Sequence, residues 1–232
     1  MSNEPIDASA FLDNSYIIYN EQFEKILAQI IICYNLMIES KIILPDDENK
    51  IRNELVNNYL MDNIIRAKIG LTDYRFEREA PEKNDEGRID IKIVSRNDSF
   101  FNTDAYYAIE CKRLDNNNQN GKTGLNGKYI SNGIARFTSE KYQFHSNTAG
   151  MIGFVVSQMN IHENIGIINK LLQNTFTEVN TEKELTKKQI NPDFEYSYYS
   201  CHKVGKTTKI IYHLMFNFSS NIENGKAFKF VK

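Results

Sequence analysis

The stretch Gly87–Leu114, GRIDIKIVSRNDSFFNTDAYYAIECKRL, decides how the rest of the chain is read. Two apolar-alternating runs flank a polar loop. Successive side chains of a strand point to opposite faces. Arg88, Asp90 and Lys92 therefore share one face of the first run, and Ile89, Ile91 and Ile93 share the other. In the second run Ala108, Glu110 and Lys112 fall on one face, with Ile109 and Cys111 opposite. Paired as a hairpin, the runs join their apolar faces in one core and bring two carboxylates and an ammonium together on the other side.

Such a group suits a hard cation. Mg2+ takes oxygen ligands, commonly one or two carboxylates completed by water and substrate phosphate. An amine beside the ion can orient or deprotonate a water, or stabilise developing negative charge. An acid and a base alternating on a strand also arise as a solvated face or a cross-strand ion pair. Asp90-Ile91-Lys92 is itself such a triplet. Glu110 and Lys112 differ in closing an apolar run, Tyr106 to Ile109, and in following a strand that carries Asp90.

Asp90, then Glu110-Cys111-Lys112 at the end of the next strand, resembles the PD-(D/E)XK nuclease superfamily and its restriction-endonuclease-like fold. Glu54 lies upstream on a predicted helix, where many members place a further acidic residue. Gly133 to Phe137 looks like the helix that follows the E-x-K strand, and Met151 to Val156 like the strand after it. The likeness covers residues 50–160. The chain departs from the pattern in one respect, since Ile89 stands where the family's naming Pro would precede Asp90.

The resemblance implies an α/β core, a central mixed β-sheet flanked by helices in the order αβββαβ. It implies Mg2+, with Mn2+ able to substitute, held by Asp90 and Glu110, with the backbone carbonyl of Cys111 and Glu54 as further ligands. Lys112 would position the attacking water and promote its deprotonation. The products would be a 3′-hydroxyl and a 5′-phosphate. DNA is the usual substrate of such enzymes, and a restriction or phage-defence role follows by analogy, with a homodimer or a partner protein of a defence system. The alternative is a catalytically silent nucleic-acid-binding or assembly module of the same fold.

Composition sets bounds on this. A chain of 232 residues, 41% hydrophobic and 12% aromatic, suits one domain with a full core. It divides into an N-terminal helical extension (1–45), a core (46–175) and a C-terminal strand annex (176–232). The formal charge of −2 excludes a generally basic nucleic-acid binder. Contacts to phosphate must come from a local patch, for which Arg88, Lys122, Lys128 and Arg136 are the candidates. Cys33, Cys111 and Cys201 are scattered, lack zinc spacing and read as reduced thiols of a cytoplasmic protein. The most apolar stretch, Ile26–Leu44, is interrupted by Gln29, Asn35, Glu39, Ser40 and Lys41, so no membrane span is expected.

Along the chain, apolar spacing predicts helices over 20–42, 47–67, 129–144 and 163–174. Strands are predicted over 74–80, 151–158, 194–202 and 209–218, besides the two site strands. The strand from Met151 is expected to run parallel to its neighbour through a helical crossover. Asp115–Lys128 reads as a long flexible loop, and 180–191 as a linker or solvated helix. Phe100-Phe101 reads as cover for a core edge, and Lys226–Lys232 as a basic aromatic tail. His202 and His213, alone on their strands, read as satisfied structural residues rather than ligands.

Overall fold

The computed structural model describes residues 9–81, 87–96, 106–139 and 147–223, with side chains from residue 19 onward. Phe100, Phe101 and the tail from Lys226 lie outside the described residues.

Phe23, Ile26, Leu27, Ile30, Ile31, Tyr34 and Met37 recur at helical spacing and are buried. They form the inner stripe of α1 (Ser9–Glu39), which begins well before the expected start at residue 20. Pro45 ends that segment. Asp47 then caps α2 (Glu48–Leu55) by accepting the backbone N–H of Lys50 at 2.9 Å. The expected continuous helix to residue 67 is instead broken. A π-helical turn spans Val56–Leu60, and Asp62 caps a new helix, α3 (Asn63–Ile69), through the N–H groups of Ile64 and Ile65. The chain leaves α3 through Gly70 at φ 75°, the left-handed C-terminal residue that glycine adopts without cost.

Four strands build one half of the sheet: β1 (Tyr74–Pro81), β2 (Arg88–Ser95), β3 (Tyr107–Leu114) and β4 (Thr148–Val155). β1–β2 and β2–β3 are antiparallel, and β3–β4 is parallel, as expected for a helical crossover. The crossover is α4 (Leu125–Tyr129), a π turn (Ile130–Ile134) and α5 (Ala135–Thr138). Beyond β4 lie α6 (Ile161–Asn174), β5 (Thr181–Lys187), β6 (Ser197–Val204) and β7 (Thr207–Asn217). The complete sheet is seven-stranded and mixed, in the order β1-β2-β3-β4-β7-β6-β5. Its central strand β4 is buried along its whole length, which accounts for its continuous apolar run.

Several local expectations are corrected. The last three strands continue the central sheet, because β7 pairs in parallel with β4. Residues 181–187 are an edge strand rather than a linker or helix; their charges, TEKELTK, blunt an exposed edge. Asp115–Gly124 is tied down. Its Asn116 N–H donates to Ser157 Oγ, Gln119 reaches Asn164, and Asn126 and Asn164 exchange two side-chain hydrogen bonds. The helix after it therefore starts at Leu125, not Tyr129.

Two apolar layers sandwich the sheet. α1, α2 and α3 cover one face over Ile91, Ile93, Ile109, Cys111, Ile152 and Phe154. α4, α5 and α6 cover the other over Ala108, Met151, Val155 and Ile211. Ile89 packs in the second layer, away from Ile91 and Ile93. The expected alternation of β2 thus breaks between Ile89 and Ile91, at Asp90.

Candidate functional site

The break at Asp90 has a backbone counterpart. β2 and β3 pair at Ile93↔Tyr107, Lys92↔Ala108 and Ile91↔Ile109, and the ladder stops there. On the other side, β1 pairs with β2 on both sides of Glu79 but not at Glu79 itself, whose φ is 47°. The strands part where Asp90 and Glu110 would face each other. The Asp90 carboxylate fills part of the gap: Oδ2 accepts the backbone N–H of Cys111 at 2.9 Å. A side chain thus takes an N–H that a continuous ladder would have used.

Three cations answer the carboxylates. Arg52, on α2 and 2% exposed, donates through Nη1 to Asp90 Oδ1 at 2.6 Å and through Nη2 to Glu79 Oε1 at 2.8 Å. Arg136, on α5, donates through Nη1 to Glu110 Oε2 at 2.7 Å. Lys112 Nζ sits among four oxygens: Cys111 O at 2.6 Å, Glu48 Oε1 at 3.1 Å, Asp90 Oδ2 at 3.4 Å and Glu110 Oε2 at 3.6 Å. Glu48 reaches this point from the first turn of α2, and its Oε2 accepts the Arg113 N–H at 2.9 Å. The crossover lies close here: a Cβ at Gly133 would displace the flexible end of Met151 and rest in ordinary contact with Lys112 Cγ at 3.5 Å.

The electrostatics separate the two carboxylates. Burial pushes Asp90 up, but Lys112, the Cys111 N–H and Arg52 outweigh it and hold Asp90 below the usual range. Glu110, only 1% exposed, is pushed up to about 8 by burial and then by the Asp90 charge, against the pull of Lys112 and Arg136. Burial lowers the Lys112 pKa, yet Asp90, Glu110 and Glu48 together raise it above the ordinary value. Lys112 is therefore a fixed ammonium here.

Asp90, Glu110 and Lys112 are thus brought together, with the Cys111 carbonyl beside them. Glu54 is not; among the described residues no hydrogen bond or ion pair joins it to this cluster. Glu48 and Arg52 are the residues the sequence reading missed. Glu48 stands in the first turn of α2, and its aim at Lys112 follows from how that helix docks on the sheet. Arg52 carried no signal, because a charge beside Ile51 reads as solvated.

The cluster opens onto a cleft of about 630 Å³, lined by Asp46, Glu48, Lys112, Arg113, Lys128 and Arg136 among others. Asp90 and Glu110 lie behind that lining. Lys128 is exposed at the cleft, whereas Lys122 sits 5.6 Å over the ring of Phe176 and is not part of the lining. Arg88 is exposed and lies 3.8 Å from Glu79.

Could these residues hold Mg2+ or Mn2+? Among the described residues, no three His, Cys, Asp or Glu side chains stand grouped as a preformed metal site. The oxygens nevertheless converge on one point, and the Lys112 ammonium occupies it. Three carboxylates and a carbonyl are the donor chemistry of a hard divalent ion. The donor set fits, on condition that Lys112 Nζ yields the centre.

A second buried polar cluster lies between the sheet and α4. His202 Nδ1 meets the Val179 carbonyl at 3.1 Å, and a carbonyl can only accept. His202 Nε2 is then the acceptor from Ser200 O–H, at 2.8 Å. Ser200 Oγ in turn accepts from His213 Nε2, and His213 Nδ1 accepts from Tyr129 O–H, each at 2.8 Å. Every group is satisfied with both histidines neutral. Burial lowers His202 to about 4 and His213 well below its ordinary value. The two histidines are structural, as read from the sequence.

No known protein family, curated protein or solved structure matches the chain. Among the described residues, no helix is long and apolar enough to cross a membrane.

Proposed function

We propose that the chain is a divalent-metal-dependent nuclease of the restriction-endonuclease-like type, acting on DNA. The observation that carries this reading is the meeting of Asp90, Glu110 and Lys112 where β2 and β3 part, at the back of a cleft lined by Arg113, Lys128 and Arg136. The element order supports it: a helix, two antiparallel pairings and a helical crossover to a parallel strand match the αβββαβ order that the resemblance implies. Asp90, Glu110, the Cys111 carbonyl and Glu48 are the residues that would hold Mg2+ or Mn2+. When bound, the ion supplies Lewis acidity and an acidified water. Lys112 balances the carboxylates and orients the water, and the cationic lining holds the phosphodiester. Three unpaired cysteines fit a reducing cytoplasm. A restriction or phage-defence setting, with a second copy or a partner protein, rests on the resemblance alone.

The test is incubation of purified protein with supercoiled plasmid and with single-stranded DNA, in Mg2+, Mn2+ or EDTA. Wild type is expected to nick in metal and not in EDTA. Lys112→Ala and Asp90→Asn are each expected to lower the rate by about 100-fold or more. Asn keeps the shape of the Asp90 side chain, which Asp90→Ala would not. Full activity in either variant overturns the assignment.

One observation favours a second reading, a silent nucleic-acid-binding module. Arg52 and Arg136 already neutralise both carboxylates. That module would bind DNA in the cleft and show neither Mn2+ binding nor turnover.

A further inference from the structure

The cleft lining carries both signs, Asp46, Asp47 and Glu48 with Lys112, Arg113, Lys128 and Arg136, while Asp90 and Glu110 lie behind it. Of the three cations that hold Asp90 and Glu110, Arg136 is the most exposed. Its side chain is 35% exposed at the cleft, yet Nη1 holds Glu110 Oε2 at 2.7 Å, and Glu110 is almost wholly buried. Lys112 is only 12% exposed and Arg52 2%. A strand entering the cleft therefore meets Arg136, on its solvent side, before any buried ionic group.

The local chain favours a change of partner. Arg136 stands on α5, a single turn of four residues that follows a π turn. Its second contact, Nη1 to the Arg88 carbonyl at 3.3 Å, is long for a charged donor. A guanidinium matches a phosphate at least as well as a carboxylate, through two parallel N–H donors.

We infer that Arg136 is a phosphate-binding residue of the cleft that Glu110 holds in reserve, and that a substrate phosphodiester competes with Glu110 for the same guanidinium. Glu110 is then released toward Lys112 and any cation at the oxygen focus. This inference rests on the nucleic-acid reading of the cleft. It does not require that cleavage occur.

Metal-free DNA binding isolates the exchange. Anisotropy of a short labelled DNA duplex is measured in EDTA, at one pH and salt, for wild type, Arg136→Gln, Glu110→Gln and the double variant. Arg136→Gln is expected to weaken binding by about 5-fold or more. Glu110→Gln replaces the charged acceptor of Arg136 by a neutral one and is expected to tighten binding by about 5-fold in the wild-type background. In the Arg136→Gln background it has only the small effect of removing one negative charge. That non-additivity is the signature of exchange, and a merely structural Arg136 would not produce it. Arg136→Lys, which keeps the charge, is expected to restore part of the affinity.

Equal effects of Glu110→Gln in both backgrounds, or DNA affinity unchanged in Arg136→Gln, overturn the inference while leaving the nuclease reading intact. The cycle appearing without any metal-dependent nicking leaves the exchange standing and removes the nuclease. No DNA binding by wild type in EDTA overturns the inference, and nicking in metal then decides the nuclease reading separately.

Discussion

Two buried polar clusters lie a few strands apart in one sheet, and they are built in opposite ways. Where β2 and β3 part, charged groups face each other: Asp90, Glu110, Glu48 and Glu79 against Arg52, Lys112 and Arg136. Where β6, β7 and β4 run in continuous register, the polar groups are neutral, and each donor has its acceptor from Tyr129 through His213, Ser200 and His202 to Val179. An intact ladder leaves no backbone group to satisfy, so the second cluster can close on itself. A broken ladder leaves N–H and C=O groups exposed within the protein. Asp90 and Lys112 answer those of Cys111 and stay within reach of the cleft. The first cluster can exchange partners, and the second cannot.

The largest stability effect expected from this contrast is at Arg52. Its guanidinium is buried between Asp90 and Glu79, and removing one partner of a buried pair strands the other charge. Arg52→Met is expected to cost about 3–5 kcal/mol in urea denaturation. Asp90→Ala should cost a similar amount, so its loss of cleavage would mix folding with chemistry. The double variant Arg52→Met with Asp90→Asn should cost less than the sum of its parts. Strict additivity would mean that the ion pair does not organise the gap.

The clusters should also respond oppositely to pH. His202 titrates near 4 when folded and near 6.5 when unfolded, so between those values only the unfolded chain takes up the proton. Stability is therefore intact above pH 6.5 and falls as pH drops toward 4, by about 3 kcal/mol for His202 alone. His213 acts in the same direction. Glu110 acts in the other. Its folded pKa is raised from 4.5 to about 8, so its penalty on the folded state grows as pH rises across that interval. Thermal melts of Glu110→Gln against wild type should converge in acid and separate toward pH 8, with the variant the more stable. A variant less stable than wild type toward pH 8 would mean that Arg136 and Lys112 outweigh burial at Glu110.

A smaller effect is expected at Ser200. Its single hydroxyl serves both histidines, donating to His202 Nε2 and accepting from His213 Nε2. Ser200→Ala leaves two buried nitrogens unpaired and should cost about 1–3 kcal/mol. Metal-dependent cleavage per folded molecule should not change. A loss of activity larger than the loss of folded protein would tie the closed cluster to the cleft through Tyr129.

The same contrast governs what could be read from sequence. Regular elements were legible because burial imposes a period: the helical stripe of α1, the unbroken apolar run of β4 and the late pair β6–β7. The meeting of Asp90, Glu110 and Lys112 was legible because two short strands in sequence almost force a hairpin. Its details were not. The flip between Ile89 and Ile91 violates the period on which the reading depends. Glu48 and Arg52 come from a helix whose docking on the sheet is tertiary, so Glu54 stood in for them. Asp115–Lys128 reads as flexible because it lacks apolar periodicity. Side-chain amides order it instead, and periodicity does not detect those.

The smallest effects separate two lysines that the sequence treats alike. Lys122 and Lys128 both follow the Glu-Lys strand in a polar, glycine-rich stretch, and both were candidates for binding phosphate. The fold sends them apart: Lys128 is exposed at the cleft, and Lys122 lies over Phe176 beside α6. Removing one phosphate-bound lysine should lower the dependence of DNA affinity on log salt by about 1. Lys128→Ala is thus expected to weaken binding modestly and to flatten that slope, and Lys122→Ala to leave both unchanged. If Lys122→Ala flattens the slope as well, the strand path crosses the Phe176 side of the loop, and the cleft is only part of the binding surface. If neither does, the phosphates are held deeper in the cleft, by the cations that cover Asp90 and Glu110.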